Sequence, residues 1–200
     1  MAEWFSQYGY LVAVFFIVLV AFVVVLNKAA KAYSKHFNTV NEQKKQLEYM
    51  TNLKNKYRNI TADELADCSD AEILEGFALL TQIDMQKSDD MESYFRTLPK
   101  EKQYIYVLDV FVEDGSAKEF YSQNGEILTG IIIDALSAVG MKDFAERLSE
   151  IGKMYSKDDE SISFDSDTID KFDQEINDMC VLDEIRAKTA VFIKENFNLL

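Results

Sequence analysis

The stretch from Trp4 to Asn27 contains no Asp, Glu, Lys, Arg or His, and it restricts the folding of the chain more than any other segment. A helix of these 24 residues would be roughly 36 Å long, enough to cross a hydrocarbon core of ~30 Å. The side chains from Tyr10 to Leu26 are apolar without a break, which leaves no polar face for a soluble amphipathic helix. Trp4, Tyr8 and Tyr10 cluster at one end, where aromatic rings suit the headgroup layer. Lys28, Lys31, Lys35, Lys44 and Lys45 follow the stretch, whereas Glu3 is the only charged side chain before it. The positive-inside rule then places the N-terminus outside and the remainder of the chain in the cytoplasm. The competing expectation is a cleaved secretory signal with Ala30-Lys31-Ala32 as its cleavage site. Such signals open on a basic segment and carry a shorter apolar run, and this chain does neither.

The expected fold class is all-α: a single transmembrane helix over 4–27, a basic helical juxtamembrane stalk over 28–60, and an acidic multi-helix bundle over 61–200. Seven Gly and one Pro in 200 residues favour helices joined by short turns. Residues 1–60 hold eight Lys/Arg against three Asp/Glu, and residues 61–200 hold thirteen against thirty-two. The formal charge of −14 therefore conceals a cationic neck and a strongly anionic head. An anionic head repels nucleic acid and anionic lipid and attracts basic proteins, although acidity also serves plain solubility. Cys68 and Cys180 form no CxxC pair, so reduced structural thiols are expected rather than a disulfide or a catalytic thiol.

Along the stalk, Val40, Leu47, Met50, Leu53 and Tyr57 recur at helical spacing, but Lys44, Thr51 and Lys54 occupy positions that a coiled-coil seam would need apolar. Thr61 with Glu64, and Ser69 with Glu72, have the capping-box spacing and predict helix starts. The second start leads into a stripe of Ile73, Leu74, Phe77, Leu80 and Ile83. A short helix is expected from about Asp89 to Arg96, with Pro99 at an early position of the next. Tyr104 to Val112 reads as helix or strand, and helix is preferred because no partner strand is evident. Asp114-Gly115 should end that helix, Ala117 to Tyr121 should form a short one, and Asn124-Gly125 should mark a tight turn. Glu126 to Val139 reads as an apolar helix closed by Gly140, and Met141 to Tyr155 as an amphipathic one. Ser156 to Ser163 reads as a charged loop; a helix capped by Ser166 or Asp167 follows to Asp178, and a last one spans Leu182 to Asn196.

The segment Asp114, Gly115, Ser116, Ala117, Lys118, Glu119, Phe120, Tyr121, Ser122, Gln123, followed by Asn124 and Gly125, resembles an Asn-Gly-Gly-Phe-x-Gln-Phe-Phe-x-Asn motif. Downstream, Ala138-Val139-Gly140-Met141 with Ala145 resembles a helix end of the form Ile-Gly-Ala with an alanine a few residues on. Phe172-Asp173-Gln174-Glu175-Ile176 resembles a Leu-Asp-x-x-Phe segment, and Phe192 to Asn196 a closing helix. Together these features, over about residues 70–197, resemble the C-terminal domain of a helical family named for a bacterial DNA-mimic protein. Gly-Gly-Phe of the motif is here Gly-Ser-Ala, its Gln is Glu119 and its second Asn is Gln123. The resemblance implies an all-helical bundle without catalytic machinery; the membrane anchor, which would place the chain in a bacterial cytoplasmic membrane, departs from the family's soluble prototype. For the family's namesake it implies an acidic surface that imitates DNA to occupy a transcription regulator.

Other chemistries fit poorly. A calcium loop starting at Asp165 would need an oxygen ligand, Gly and Glu where the chain has Ile169, Asp170 and Ile176. The lone histidine, His36, offers neither a catalytic triad nor a histidine metal site. Asp109 and Glu113, one helical turn apart, could shift one another's pKa, but a solvated face is the expected outcome. No metal, cofactor or direct nucleic-acid binding is expected. The candidate interaction surface is Asp158, Asp159, Glu160, Asp165, Asp167 and Asp170, facing a basic cytoplasmic protein. An immunity-type protein that neutralises a toxin is the alternative, and an enzyme using buried carboxylates a more distant one. Self-association is left open.

Overall fold

The computed structural model describes residues 42–155 and 165–200. The expected span over 4–27, His36, and the acids Asp158, Asp159 and Glu160 lie outside the described residues. Among the described residues the structure is all-helical, and no helix is long and apolar enough to cross a membrane. By contacts the chain divides into two units, Met1–Thr51 and Asn52–Leu200. Residues 42–58 are helical (α1), with residues 42–51 in the first unit and 52–58 in the second.

The second unit continues with α2 (Ala62–Ala66), α3 (Asp70–Met85), α4 (Met91–Thr97), α5 (Lys100–Asp114), α6 (Ala117–Gln123), α7 (Glu126–Ala138), α8 (Lys142–Lys153), α9 (Ser166–Asp178) and α10 (Val181–Glu195), ending in a 3₁₀ turn, Phe197–Leu199. At its centre α5 packs against α3, α7, α10 and α6; α7 in turn covers α8, and α6 covers α9. Ile105, Val107, Leu108 and Phe111 of α5 are at most 1% exposed, which explains how a segment with strand-like composition becomes a helix. Tertiary burial overrides local β preference.

The buried stripe on α3 differs from the expected one: Leu80 and Ile83 are only half-buried, and the covered face is broader. Gly76, Ala78, Leu79, Thr81 and Met85 are buried beside Ile73, Leu74 and Phe77, because α5 and α10 cover two sides of the helix. Leu53 and Tyr57, read as the end of a stalk, are core residues of this unit at 4% and 3% exposure. The Tyr57 ring stands edge-on to Phe77, 5.6 Å between centroids.

Helix ends follow local chemistry. Thr61 and Glu64 form a full capping box at α2. Ser69 accepts the Glu72 N–H at α3, but the Glu72 carboxylate goes to Lys56 at 2.6 Å, so the second box forms only halfway. Pro99 precedes α5 rather than entering it. At the end of α7 the φ of Gly140 is +82°, its N–H reaches Ser137 O at 3.1 Å, and the Met141 N–H reaches Leu136 O at 2.8 Å. That is a Schellman closure, which side chains other than glycine enter only with strain. Asn124-Gly125 is an extended junction between α6 and α7 with negative φ at both residues, not a left-handed turn. Cys180 enters the left-handed region at φ +53° between α9 and α10.

Two mid-helix glycines serve opposite ends. A Cβ at Gly76 would overlap the Tyr57 ring, whereas a Cβ at Gly130 in α7 would meet nothing within 4 Å. We expect Gly76→Ala to lower unfolding free energy by about 1–3 kcal/mol through overpacking. Gly130→Ala should raise it by about 1 kcal/mol through helix propensity. Chemical denaturation of both variants checks the pair, and shifts of the same sign would contradict this packing.

Candidate interaction surface

The residues singled out in the sequence between Asp114 and Asn124 form one hydrogen-bonded corner. Gly115 leaves α5 at φ +72°, with its N–H on Phe111 O. Ser116 accepts the Glu119 N–H and caps α6. Asn124 closes α6 by donating to the Asp114 carboxylate at 2.7 Å and to Phe120 O at 2.9 Å. From α9, Asp173 accepts the Ala117 N–H at 2.7 Å and the Lys118 N–H at 3.3 Å, holding the start of α6 from 56 residues away. Burial pushes the Asp173 and Asp114 carboxyls above the usual range, against the pull of these donors.

The corner drives Phe120 into the core. Its ring is fully buried and meets Phe111 edge-on at 5.3 Å, a burial that contributes about 2–3 kcal/mol. Tyr121 donates to Leu148 O at 3.2 Å, stacks on Tyr155 at 5.4 Å and lies against Gly152, where a Cβ would overlap it. Burial raises its phenol pKa. Glu119 accepts from Gln123 one turn on, and Ala145 is buried on α8. Asp114, Gly115, Phe120, Tyr121, Asn124, Gly140, Ala145 and Asp173 are thus engaged in packing, capping or turn geometry, while Glu119 stays exposed.

The acids foreseen as an interaction surface divide differently. Asp165 caps α9 through the Asp167 and Thr168 N–H groups and the Thr168 hydroxyl, and its pKa is lowered by the Thr168 bonds. The run Asp165 to Asp170 is thus a helix start rather than a calcium loop. Asp170 pairs with Lys118 at 2.8 Å, and Asp167 is exposed in the first turn. Among the described residues no cluster of three or more His, Cys, Asp or Glu is arranged to hold a metal ion. Cys68 and Cys180 are both free thiols.

A different carboxylate group emerges on the outer face of α5. Asp109 is half-buried, and its pKa is pushed up to about 7 by burial, then by the charges of Glu113 and of Glu75 on α3, against Arg186 on α10. Burial and Glu75 also raise Glu113. The i, i+4 spacing of Asp109 and Glu113 is legible in the chain, but the approach of Glu75 from another helix has no local signal. On the far side, Arg147 pairs with Glu175 and lies over the Phe172 ring at 5.2 Å, with Phe144 stacked beneath.

Because Asp109 binds its proton more tightly in the folded chain, its contribution to stability is full below pH ~4 and is lost as pH rises towards 7. Asp109→Asn removes that loss. The variant should exceed wild type in unfolding free energy at pH 8 by on the order of 2 kcal/mol and show a flatter stability profile between pH 4 and 7. Denaturant titrations across that range measure both effects; equal slopes would contradict the burial of this carboxyl.

A family model described as "DMP19-like protein" matches residues 96–196. It starts near the end of α4 rather than at the expected residue 70 and runs through α10. No curated protein and no solved structure matches the chain. The matched region takes in α5, the α6 corner, the Gly140 closure and the Asp173 tether, and with half of its length inside the match the chain belongs to the DMP19-like protein family.

Proposed function

We propose that this protein is a membrane-anchored, acidic helical interaction module whose head binds a basic protein in the cytoplasm, in the place that protein would give to nucleic acid. The observation that carries the reading is the surplus of carboxylates: residues 61–200 hold thirty-two Asp/Glu against thirteen Lys/Arg. Ion pairs among the described residues are largely solvent-exposed and mostly join neighbouring turns of one helix, so much of the negative charge remains available to a partner. Membership in a family named for a DNA mimic supports the same choice of partner. It favours a binding role over a catalytic one, since the motif residues are engaged in scaffold contacts. The anchor rests on the uncharged run Trp4 to Asn27 and the lysines after it.

Capture experiments with the full-length chain, extracted from the membrane fraction with detergent, test both parts. A basic protein should be recovered at low salt and lost steeply as salt rises, as for any ligand of a phosphate-binding surface. Recovery of no basic protein at either salt would contradict the binding reading, and release of the chain from cells without detergent would contradict the anchor.

A further inference from the structure

Helix α7 has the sequence EILTGIIIDALSA, yet only Ile132, Ala135 and Leu136 are buried. Its first turn, with α4 and the end of α3, walls a groove of about 480 Å³ whose apolar lining is Met85, Met91, Phe95, Tyr106, Ile127 and Leu128. Met91 is 55% exposed on one lip, and methionine side chains adapt readily to a docked apolar surface. Tyr106 packs on Phe95 at 5.6 Å in the floor.

The charges at the groove's margins decide what could fill it. Tyr106, Asp109 and Glu113 follow one another at i, i+3 and i+7 on α5, so the apolar floor leads past the half-buried, part-ionised Asp109 to the exposed carboxylate of Glu113. Both act on the Tyr106 phenol, and Glu75 of α3 acts in turn on Asp109 and Glu113. Arg186 approaches Asp109 from α10 but is bonded to Asp183 at 2.6 Å. At the other margin stands Glu126, while Arg96 is held by Glu92 at 3.3 Å. An apolar floor with anionic margins disfavours an acidic peptide, an anionic lipid surface and a second copy of this chain, whose formal charge is −14. It matches a helix that is apolar on one face and cationic along its flanks.

We infer that the groove between α4 and the start of α7 receives a basic amphipathic helix of the partner protein. The inference rests on the reading that the head binds a basic protein, and adds where the partner docks and which element it presents.

The test uses the full-length chain in phosphatidylcholine nanodiscs, with protein-free nanodiscs as blank. Two labelled Leu/Lys peptides of identical composition, one amphipathic as a helix and one scrambled, are titrated at low salt and followed by fluorescence anisotropy. The amphipathic peptide should bind about tenfold more tightly than the scrambled one. Met91→Gln and Ile127→Gln, which leave the charge unchanged, should each remove most of that preference without altering the scrambled peptide's affinity. Met91 is exposed enough for its replacement to spare the fold, and circular dichroism melts verify this for both variants. Equal, salt-sensitive affinity for the two peptides would overturn the groove while leaving the proposed function standing. A preference that survives both substitutions would also overturn it, by placing the helix elsewhere. Binding of neither peptide would overturn the inference and the proposed function together.

Discussion

The second unit depends on a carboxylate that reaches across the sequence: Asp173 of α9 receives the Ala117 and Lys118 N–H groups at the start of α6. A helix of seven residues cannot persist alone in water, and its first N–H groups would otherwise go unsatisfied at a partly buried position. The Asp173 carboxylate answers both needs, joined by Ser116 at the cap and by Asn124 at the other end. With α6 fixed, Phe120 fills the space beside Phe111 and Tyr121 reaches the backbone of α8. Four helices, α5, α6, α8 and α9, are thereby brought to one corner.

That corner accounts for the division of labour in the molecule. Several residues that carry the family motif, among them Asp114, Asn124 and Asp173, have their polar groups committed internally, while charged side chains such as Lys118 and Glu119 occupy the surface around them. The surface is costly to maintain. Exposed ion pairs contribute little to stability, and Asp109, whose pKa is raised first by burial and then by the charges of Glu113 and Glu75, is held at a cost. The cost is offset by a continuous apolar core through α3, α5 and α10, where Ile73, Leu108, Phe111 and Ile185 are inaccessible to solvent.

The helical class, the positions of α8, α9 and α10, and the glycine stops after α5 and α7 were legible in the sequence because each has a local cause: apolar spacing, a capping hydroxyl, or a residue tolerant of positive φ. The extent of burial on α3 was not legible, since Leu79 and Thr81 are covered only because α5 and α10 arrive from distant parts of the chain. Nor was the left-handed Cys180, which has no glycine or asparagine to announce it. Among the candidate acids, Asp165 and Asp170 were chosen for their density in sequence, and folding gives them to a cap and to Lys118. The group around Asp109 forms between helices, where no spacing rule reaches.

Hydrogen exchange at the Ala117 and Lys118 amides, in wild type and in Asp173→Ala, tests the central claim most directly. If Asp173 holds α6 in place, both amides are protected in wild type and exchange at least about tenfold faster in the variant, a loss of the size expected for a part-buried charge-assisted bond. Amides in the core of α5 should keep their protection under the same conditions. Unchanged exchange at both positions would mean that α6 stands without Asp173, and the corner would lose its role as the organising contact of the bundle.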